Sequence, residues 1–356
     1  MDILKKLLYS VVPIIALTGC YTDFNPDQYS ESVICLNAVI TAGEPVTVSV
    51  QHTWRYNDRE GLDDHEVKDA MVSVYANGEL KEPEYLAQEG DEIRIVAESK
   101  SYGTAEATVK VPQSIPIVKV EFIPSSVQAW NDNEDGFTAD MRFNYEIKLT
   151  ISDNNQDADY FRLAYTPFYF EGEEDDNPDN LDSGEESMNF SSYFSSGRLD
   201  FNSDPIFREH IGIVESMLGG YEDLWLFFTD RMFSGQDYTL TLRFDDAWFR
   251  AVGPEYCENL LDCGITFELL SISRSYYDRM NYLWQKNSGM IGDLADIGLA
   301  DPVWGYSNVS TGAGIVVART MMTFDLNLKD FMINALEESE SKQVQGVPRE
   351  AGVSLP

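Results

Sequence analysis

Four side chains in ISDNNQDADY bear first on metal chemistry. Asp153, Asn154, Asp157 and Asp159 offer hard oxygen ligands at close spacing, the kind that calcium takes. The stretch lacks the central Gly and closing Glu of an EF-hand loop, and an Asx-rich turn between strands explains the same residues. Asp63-Asp64-His65-Glu66 is a second short cluster, readable as a metal site or as a solvated loop. Cys257 and Cys263, in EYCENLLDCG, are close enough to bridge in an oxidising compartment, and the spacing is equally compatible with free thiols. No second Cys/His pair stands near them to complete a zinc site. Cys35, inside the apolar ICLNAVI, is expected to be a buried small hydrophobe. Trp54, in HTWRYND, and Trp130, in QAWNDNEDG, fall in polar surroundings. There an indole can stack on a sugar or meet a partner, or simply pack partly buried within its loop.

Catalytic patterns are missing. The three histidines, His52, His65 and His210, form no H-E-x-x-H and stand beside no nucleophile elbow. Gly312-Ala313-Gly314 lacks the third glycine of a dinucleotide fingerprint and precedes a strand, so it reads as a turn or close-packing site. A pair of carboxylates for glycoside hydrolysis is uninformative in a chain with 61 acidic residues. The expectation is a non-enzymatic protein with no cofactor beyond calcium; a hydrolase ranks third among the readings, behind binding and scaffold roles.

The amino-terminal region carries a different chemistry. Lys5 and Lys6 precede an apolar run from Leu7 to Leu17, too short for the roughly 20 residues of a membrane-spanning helix and fitting the core of a signal peptide. Leu17-Thr18-Gly19-Cys20 follows and resembles the lipobox of bacterial lipoproteins. Cleavage between Gly19 and Cys20 makes the cysteine the new terminus, and its sulfur takes the lipid. Several acyl chains on one residue anchor stably. No Asp follows Cys20 directly, which favours the outer membrane over retention at the inner one, with the cell surface favoured over the periplasmic face.

Formal net charge is −36 over 356 residues. Loss of residues 1–19 removes two cations and one anion, leaving −37. Such charge argues against nucleic acid and against docking on anionic lipid heads, and it keeps a tethered body soluble.

The elements that would position these residues are mostly strands. VICLNAVIT, PVTVSVQHTW, VKDAMVSVY, EIRIVAE and TAEATVKV are β-rich runs separated by turns, with Asn77-Gly78 as a tight-hairpin signal. They predict an immunoglobulin-like β-sandwich over residues 31–112. VPQSIPIVKV reads as a stiff boundary. DMRFNYEIKLTIS then alternates strictly, with Met141, Phe143, Tyr145, Ile147, Leu149 and Ile151 on one side. It opens a larger antiparallel β-rich domain over 113–328 with two or three helices. One helix is expected from Asp204 to Leu218 with Pro205 in its first turn. Another is expected from Ser275 to Asn287, started by Ser275 and Asp278 and ended by Gly289. Residues 1–19 form the signal peptide and 20–30 the tether. Residues 171–187 form a long acidic loop, and 329–356 a helix and polar tail.

Over nearly its whole length the chain resembles a family of Bacteroidota lipoproteins known only as a domain of unknown function (family four-two-four-nine). The likeness lies in LNAVITAGEPVTVSV, VKDAMVSVYANGEL, ISDNNQDADYFRL, TDRMFSGQDYTLTL, LLSISRSYYDRMNYL and DPVWGYSNVSTGAGIVVA, in that order. Asp159-Tyr160-Phe161 stands where the family more usually has Asn-Tyr-Tyr, and the acidic loop and the segment past 328 depart from its pattern. The resemblance implies a β-rich outer-membrane lipoprotein, often encoded beside a TonB-dependent receptor and so an accessory to nutrient uptake. It implies no catalytic residues. The competing reading is a structural or scaffold lipoprotein of an envelope complex.

Overall fold

Residues alternating between two faces of a strand build the whole body. The computed structural model describes residues 32–54, 65–132, 138–153, 159–168, 191–200, 203–209, 226–252, 262–287 and 305–344. Cys20, Asn154, Asp157, Cys257, His210, the expected tether, the acidic loop and Gly289 lie outside them.

Three sheets form. A six-stranded sheet has the order β12 (Phe227–Thr229), β9 (Tyr160–Phe168), β14 (Gly264–Ile272), β15 (Ala313–Asn327), β1 (Ile34–Thr41), β2 (Ser49–His52). A four-stranded sheet runs β4 (Glu79–Leu80), β3 (Met71–Ala76), β5 (Glu92–Ser99), β6 (Gly103–Lys110). The third runs β10 (Ser191–Ser195), β13 (Asp237–Val252), β8 (Thr138–Ser152), β7 (Ile117–Asp132), with β11 (Arg198–Asp200) also on β13. Two helices, α1 (Arg274–Asn287) and α2 (Lys329–Val344), complete the regular elements among the described residues. The protein is mainly β, as its patterning predicts.

Both smaller sheets pack on one face of the six-stranded sheet, each with its own core. In the first core Ile34, Leu36, Ala38 and Ile40 of β1 and Val316 and Ala318 of β15 meet Ile93, Ile95 and Ala97 of β5 and Ala105, Ala107 and Val109 of β6. In the second, Ile265, Phe267 and Leu269 of β14 and Phe161 and Leu163 of β9 meet the alternating face of β8. Met141, Phe143, Tyr145, Ile147, Leu149 and Ile151 are all 1% exposed or less, so the strict alternation does mark a half-buried strand. Tyr145 stacks on Phe244 at 4.7 Å, and its hydroxyl donates to the Ser196 carbonyl at 2.9 Å. Phe331 of α2 meets Phe122 and Phe143 edge-on, and Leu328, Met332 and Leu336 around it are fully buried.

Residues 31–112, expected to make a sandwich by themselves, therefore share their second layer with the far end of the chain. β1 pairs in parallel with β15, from Cys35↔Ala313 to Thr41↔Arg319. Among the described strands this is the exception to an otherwise antiparallel architecture. Glycines permit it. A Cβ on Gly314, which has φ +105°, would stand 2.3 Å from the Leu36 carbonyl oxygen, and one on Gly312 would stand 2.6 Å from that of Ile34. Asn37 Oδ1 adds a bond by accepting the Ile315 N–H at 3.0 Å. The Gly-Ala-Gly segment is thus a close-packing site, as expected from its sequence.

Several local expectations change. Cys35 is half-buried on the face opposite the core, where its sulfur accepts from Asn37 Nδ2 at 3.4 Å; the period of two that buries Ile34 and Leu36 turns it away. Pro205 does open a helical turn, but a 3-10 turn over Pro205–Glu209, capped by Asp204 Oδ1 on the Ile206 N–H at 3.0 Å; its continuation to Leu218 lies outside the described residues. Asn77-Gly78 turns β3 into β4 with φ of 54° and 82°, the left-handed pair that a tight hairpin needs.

Asp91 fastens that hairpin. Its carboxylate accepts from Asn77 Nδ2 (2.7 Å), the Tyr85 hydroxyl (2.5 Å) and the Gln88 N–H (2.8 Å). Burial pushes the carboxyl pKa up, but the three donors outweigh it and hold the group below its ordinary value. The same bond, helped by burial, pushes Tyr85 up to about 12. A lowered carboxyl stabilises the fold above its unfolded pKa and loses that contribution as pH falls.

Two outcomes test this account. Gly314→Ala is expected to lose about 2 kcal/mol or more, since it adds both backbone strain and a clash with Leu36; urea denaturation checks it. Asp91→Asn is expected to lower the melting temperature at neutral pH. The gap from wild type should narrow as pH falls below 3.8, and Tyr85 should add a loss of wild-type stability between pH 10 and about 12. A gap that stays constant from pH 7 to pH 2 would contradict the carboxylate's role.

Candidate functional site

The outer face of the six-stranded sheet holds one cluster. Phe161 and Leu163 point into the core, so Tyr160, Arg162 and Ala164 of β9 point away from it. α1 lies over this face because the end of β14 ties it to β15. The Ser273 N–H donates to the Ala318 carbonyl (2.8 Å), and Ser273 Oγ accepts the N–H of Ala318 (3.1 Å) and of Tyr276 (3.3 Å). Ser273, not Ser275, thus caps the helix. The Ser275 hydroxyl is drawn instead to the Val316 carbonyl at 3.0 Å, and Asp278 pairs with Arg274 at 3.7 Å. Asn308 matches both backbone groups of Val316, with Nδ2 on the carbonyl (2.7 Å) and Oδ1 on the N–H (2.9 Å).

The first turn of α1 then meets β9. Arg162 Nη1 donates to the Tyr276 hydroxyl at 3.1 Å. Tyr277 packs on Tyr160 at 4.8 Å and edge-on to Phe227 at 5.4 Å. Nothing in the local sequence marked Arg162, Tyr276 and Tyr277 as a unit; 114 residues separate the hydrogen-bonded pair. The one available signal is that they fall in DYFRL and RSYYD, two of the segments that carry the family resemblance.

A second cluster sits at the rim of the first core. Trp54 stacks on His65 (4.2 Å, 12° between planes), His65 meets His52 edge-on (5.2 Å), and His52 stacks on Tyr102 (4.6 Å, 3°). β2 carries His52 into the row, and Val67 returns alongside with its N–H on the Val50 carbonyl (3.2 Å). His65 is 1% exposed, so it is a packed ring and not part of a solvated loop; Asp63 and Asp64 lie outside the described residues. Trp54 is 46% exposed, leaving an indole surface in water with a rigid ring behind it. Such a backed aromatic plane suits the apolar face of a sugar or a partner's side chain.

The other expected site residues stand apart from these clusters. Trp130 belongs to the end of β7, opposite Asp140, and not to a loop; bulges between Ile117/Lys119 and Ser125/Gln128 break the alternation that would have revealed the strand. Its side chain lies outside the described residues. Asp153 is 2% exposed, and its Oδ2 accepts the Gly235 N–H at 2.8 Å, a fastening of the turn after β12. The Asp159 carbonyl accepts the Asp230 N–H at 3.2 Å. Among the described residues no group of three His, Cys, Asp or Glu side chains is placed to hold a metal; of the expected calcium set only Asp153 and Asp159 fall among them. Cys263 is a free, fully buried thiol whose pKa is pushed up to about 12 by burial and then by Asp262, with Lys329 opposing. Cys257, with which the spacing would allow a bridge, lies outside the described residues.

The body defined here is a pair of β-sandwiches on one shared sheet, bearing ring clusters at its surface. Residues 21–324 match the family described as Domain of unknown function (DUF4249), and the chain belongs to that family. The match ends three residues before β15 does and leaves α2 outside. Comparison with curated proteins and with solved structures gives no match.

Trp54→Ala is expected to change folding stability by no more than about 1 kcal/mol, because much of the ring is already in water. If the plane receives sugars, the same change weakens binding of a malto- or xylo-oligosaccharide by about 1 kcal/mol or more, read by calorimetric titration. Equal titrations of wild type and variant would remove Trp54 from the binding surface.

Proposed function

We propose that this chain is an outer-membrane lipoprotein exposed at the cell surface, a non-enzymatic binding or accessory component of a TonB-dependent nutrient uptake system. Leu17-Thr18-Gly19-Cys20 behind a short apolar run carries this reading. The run is too short for a spanning helix, and small residues admit a peptidase to the bond before the cysteine. No helix among the described residues is long and apolar enough to cross a membrane.

Three further observations support it. The family resemblance implies a TonB-dependent receptor as partner, and the chain belongs to that family. A net charge of −36 repels anionic lipid heads, so attachment falls to the lipid itself. The half-exposed indole of Trp54 gives such a component a surface with which to hold a nutrient or its partner.

Cys20→Ala is expected to abolish labelling by radioactive palmitate and to release the protein from the membrane fraction. The wild-type protein, extracted in detergent, is expected to bring down a TonB-dependent receptor and to be cut by protease added to whole cells. Continued labelling of the variant would end the anchor reading. Recovery of envelope-assembly proteins without a receptor, from cells whose protein resists surface protease, would replace the uptake role by a scaffold role.

A further inference from the structure

The outer face of the third sheet carries a pair of rings where strand alternation would place polar side chains. Ala247 and Phe249 are buried in the core, so Trp248 between them points outward from β13; Phe194 is buried likewise, so Tyr193 points outward from β10. The two rings lie 5.2 Å apart and are tilted by 53°. Trp248 is half-buried and Tyr193 is 43% exposed. Among the described residues, Trp54 is the other aromatic side chain with such exposure.

Trp248 is held in place from one side. The Arg250 guanidinium lies over its ring at 5.2 Å, and a carboxylate fixes that guanidinium in turn. Asp140, directly opposite Arg250 on β8, accepts Nε and Nη2 on its two oxygens at 2.7 and 3.2 Å and is itself 6% exposed. The indole is thus set before any ligand arrives, so little side-chain freedom is lost when its face is covered. Around the rings the face turns polar at once. Trp248 stands opposite Ser195 on one neighbouring strand and Arg142 on the other, and Arg142 stands opposite Gln128 of β7. Arg142 and Gln128 are exposed.

The apolar surface is therefore confined to two rings, bounded by hydroxyl, guanidinium and amide groups. A stable protein partner covers about 800 Å² on each side and wants a broader apolar centre. A pyranose needs less: one flat C–H face to stack on a ring, and hydroxyls at its rim to hydrogen-bond. We propose that this face binds a glycan. One sugar ring stacks on Trp248 and Tyr193, and hydroxyls along the chain meet Arg142 and Gln128. The inference names the nutrient class for the binding role proposed above and rests on that role for its use in the cell. Binding at this face needs neither Cys20 nor a receptor.

The test is calorimetric titration of the purified full chain with cellohexaose, maltohexaose, hexagalacturonate and sorbitol. At least one oligosaccharide is expected to bind; sorbitol, which has the hydroxyls but no ring, is expected not to. Tyr193→Ala, at an exposed ring, should leave circular dichroism unchanged and weaken binding about fivefold, and Trp248→Ala about tenfold or more. Both losses should persist in Trp54→Ala protein, which tells this face from that indole. The proposal is overturned if no oligosaccharide binds, if sorbitol binds as well, if Tyr193→Ala binds like wild type, or if Trp54→Ala alone abolishes binding. A chain that binds an oligosaccharide through Tyr193 but takes no palmitate would keep this proposal and lose the membrane anchor.

Discussion

The parallel pairing of β1 with β15 is the interaction on which the rest of the structure depends. Neither strand is buried well by its own sequence neighbours. Side by side they lay Ile34, Leu36, Ile40, Val316 and Ala318 under β5 and β6 as one apolar floor, each larger side chain worth roughly 1.5 to 3 kcal/mol of burial. Without the pair the four-stranded sheet has no second layer. The antiparallel partner of β15, β14, stops at Ile272, which leaves the backbone of Val316 and Ala318 open on that side. Ser273, Ser275 and Asn308 occupy this open edge, and by doing so they set α1 on the sheet. The distance between Tyr276 and Arg162 is therefore decided by a strand that contains neither.

What could be read from the sequence was what neighbours in sequence decide. β8 and β5 declare themselves by alternation, and Asn77-Gly78 declares its hairpin because only left-handed backbone makes that turn. Cys35 was equally readable: in ICLNAVIT the period of two puts it with Asn37, away from Ile34 and Leu36. Treating the run as uniformly apolar hid this. Other features were out of reach. Pairing between residues 278 apart leaves no local trace, so the first sandwich looked self-sufficient. Ser275 resembled a helix cap because its competing acceptor, the Val316 carbonyl, is supplied from elsewhere in the fold. Trp54 was identifiable by residue type and setting, whereas Arg162 and Tyr276 become a pair only once the fold brings β9 and α1 together.

The acidic residues divide by task. Among the described residues most lie away from the core, but a few buried ones act as fasteners. Asp91 gathers three donors at its hairpin, Asp204 joins the Ile206 N–H to the Tyr238 hydroxyl and the Thr241 N–H, and Asp153 holds the turn at Gly235. Each satisfies backbone donors that a bend would otherwise leave unpaired. Acidic clusters in this sequence are thus poor guides to metal sites, because the chain also uses aspartate to close turns.

The closing strand imposes an order of events on synthesis. A chain emerging from the ribosome has β1, β5 and β6 long before residues 313–319 exist, so the apolar residues of the first core spend that interval without their floor. Contacts of such sequence separation are slow to form and leave sticky intermediates behind. A chain stopped just before β15 is expected to expose the apolar faces of β1, β5 and β6 and to aggregate in place of forming a smaller stable domain.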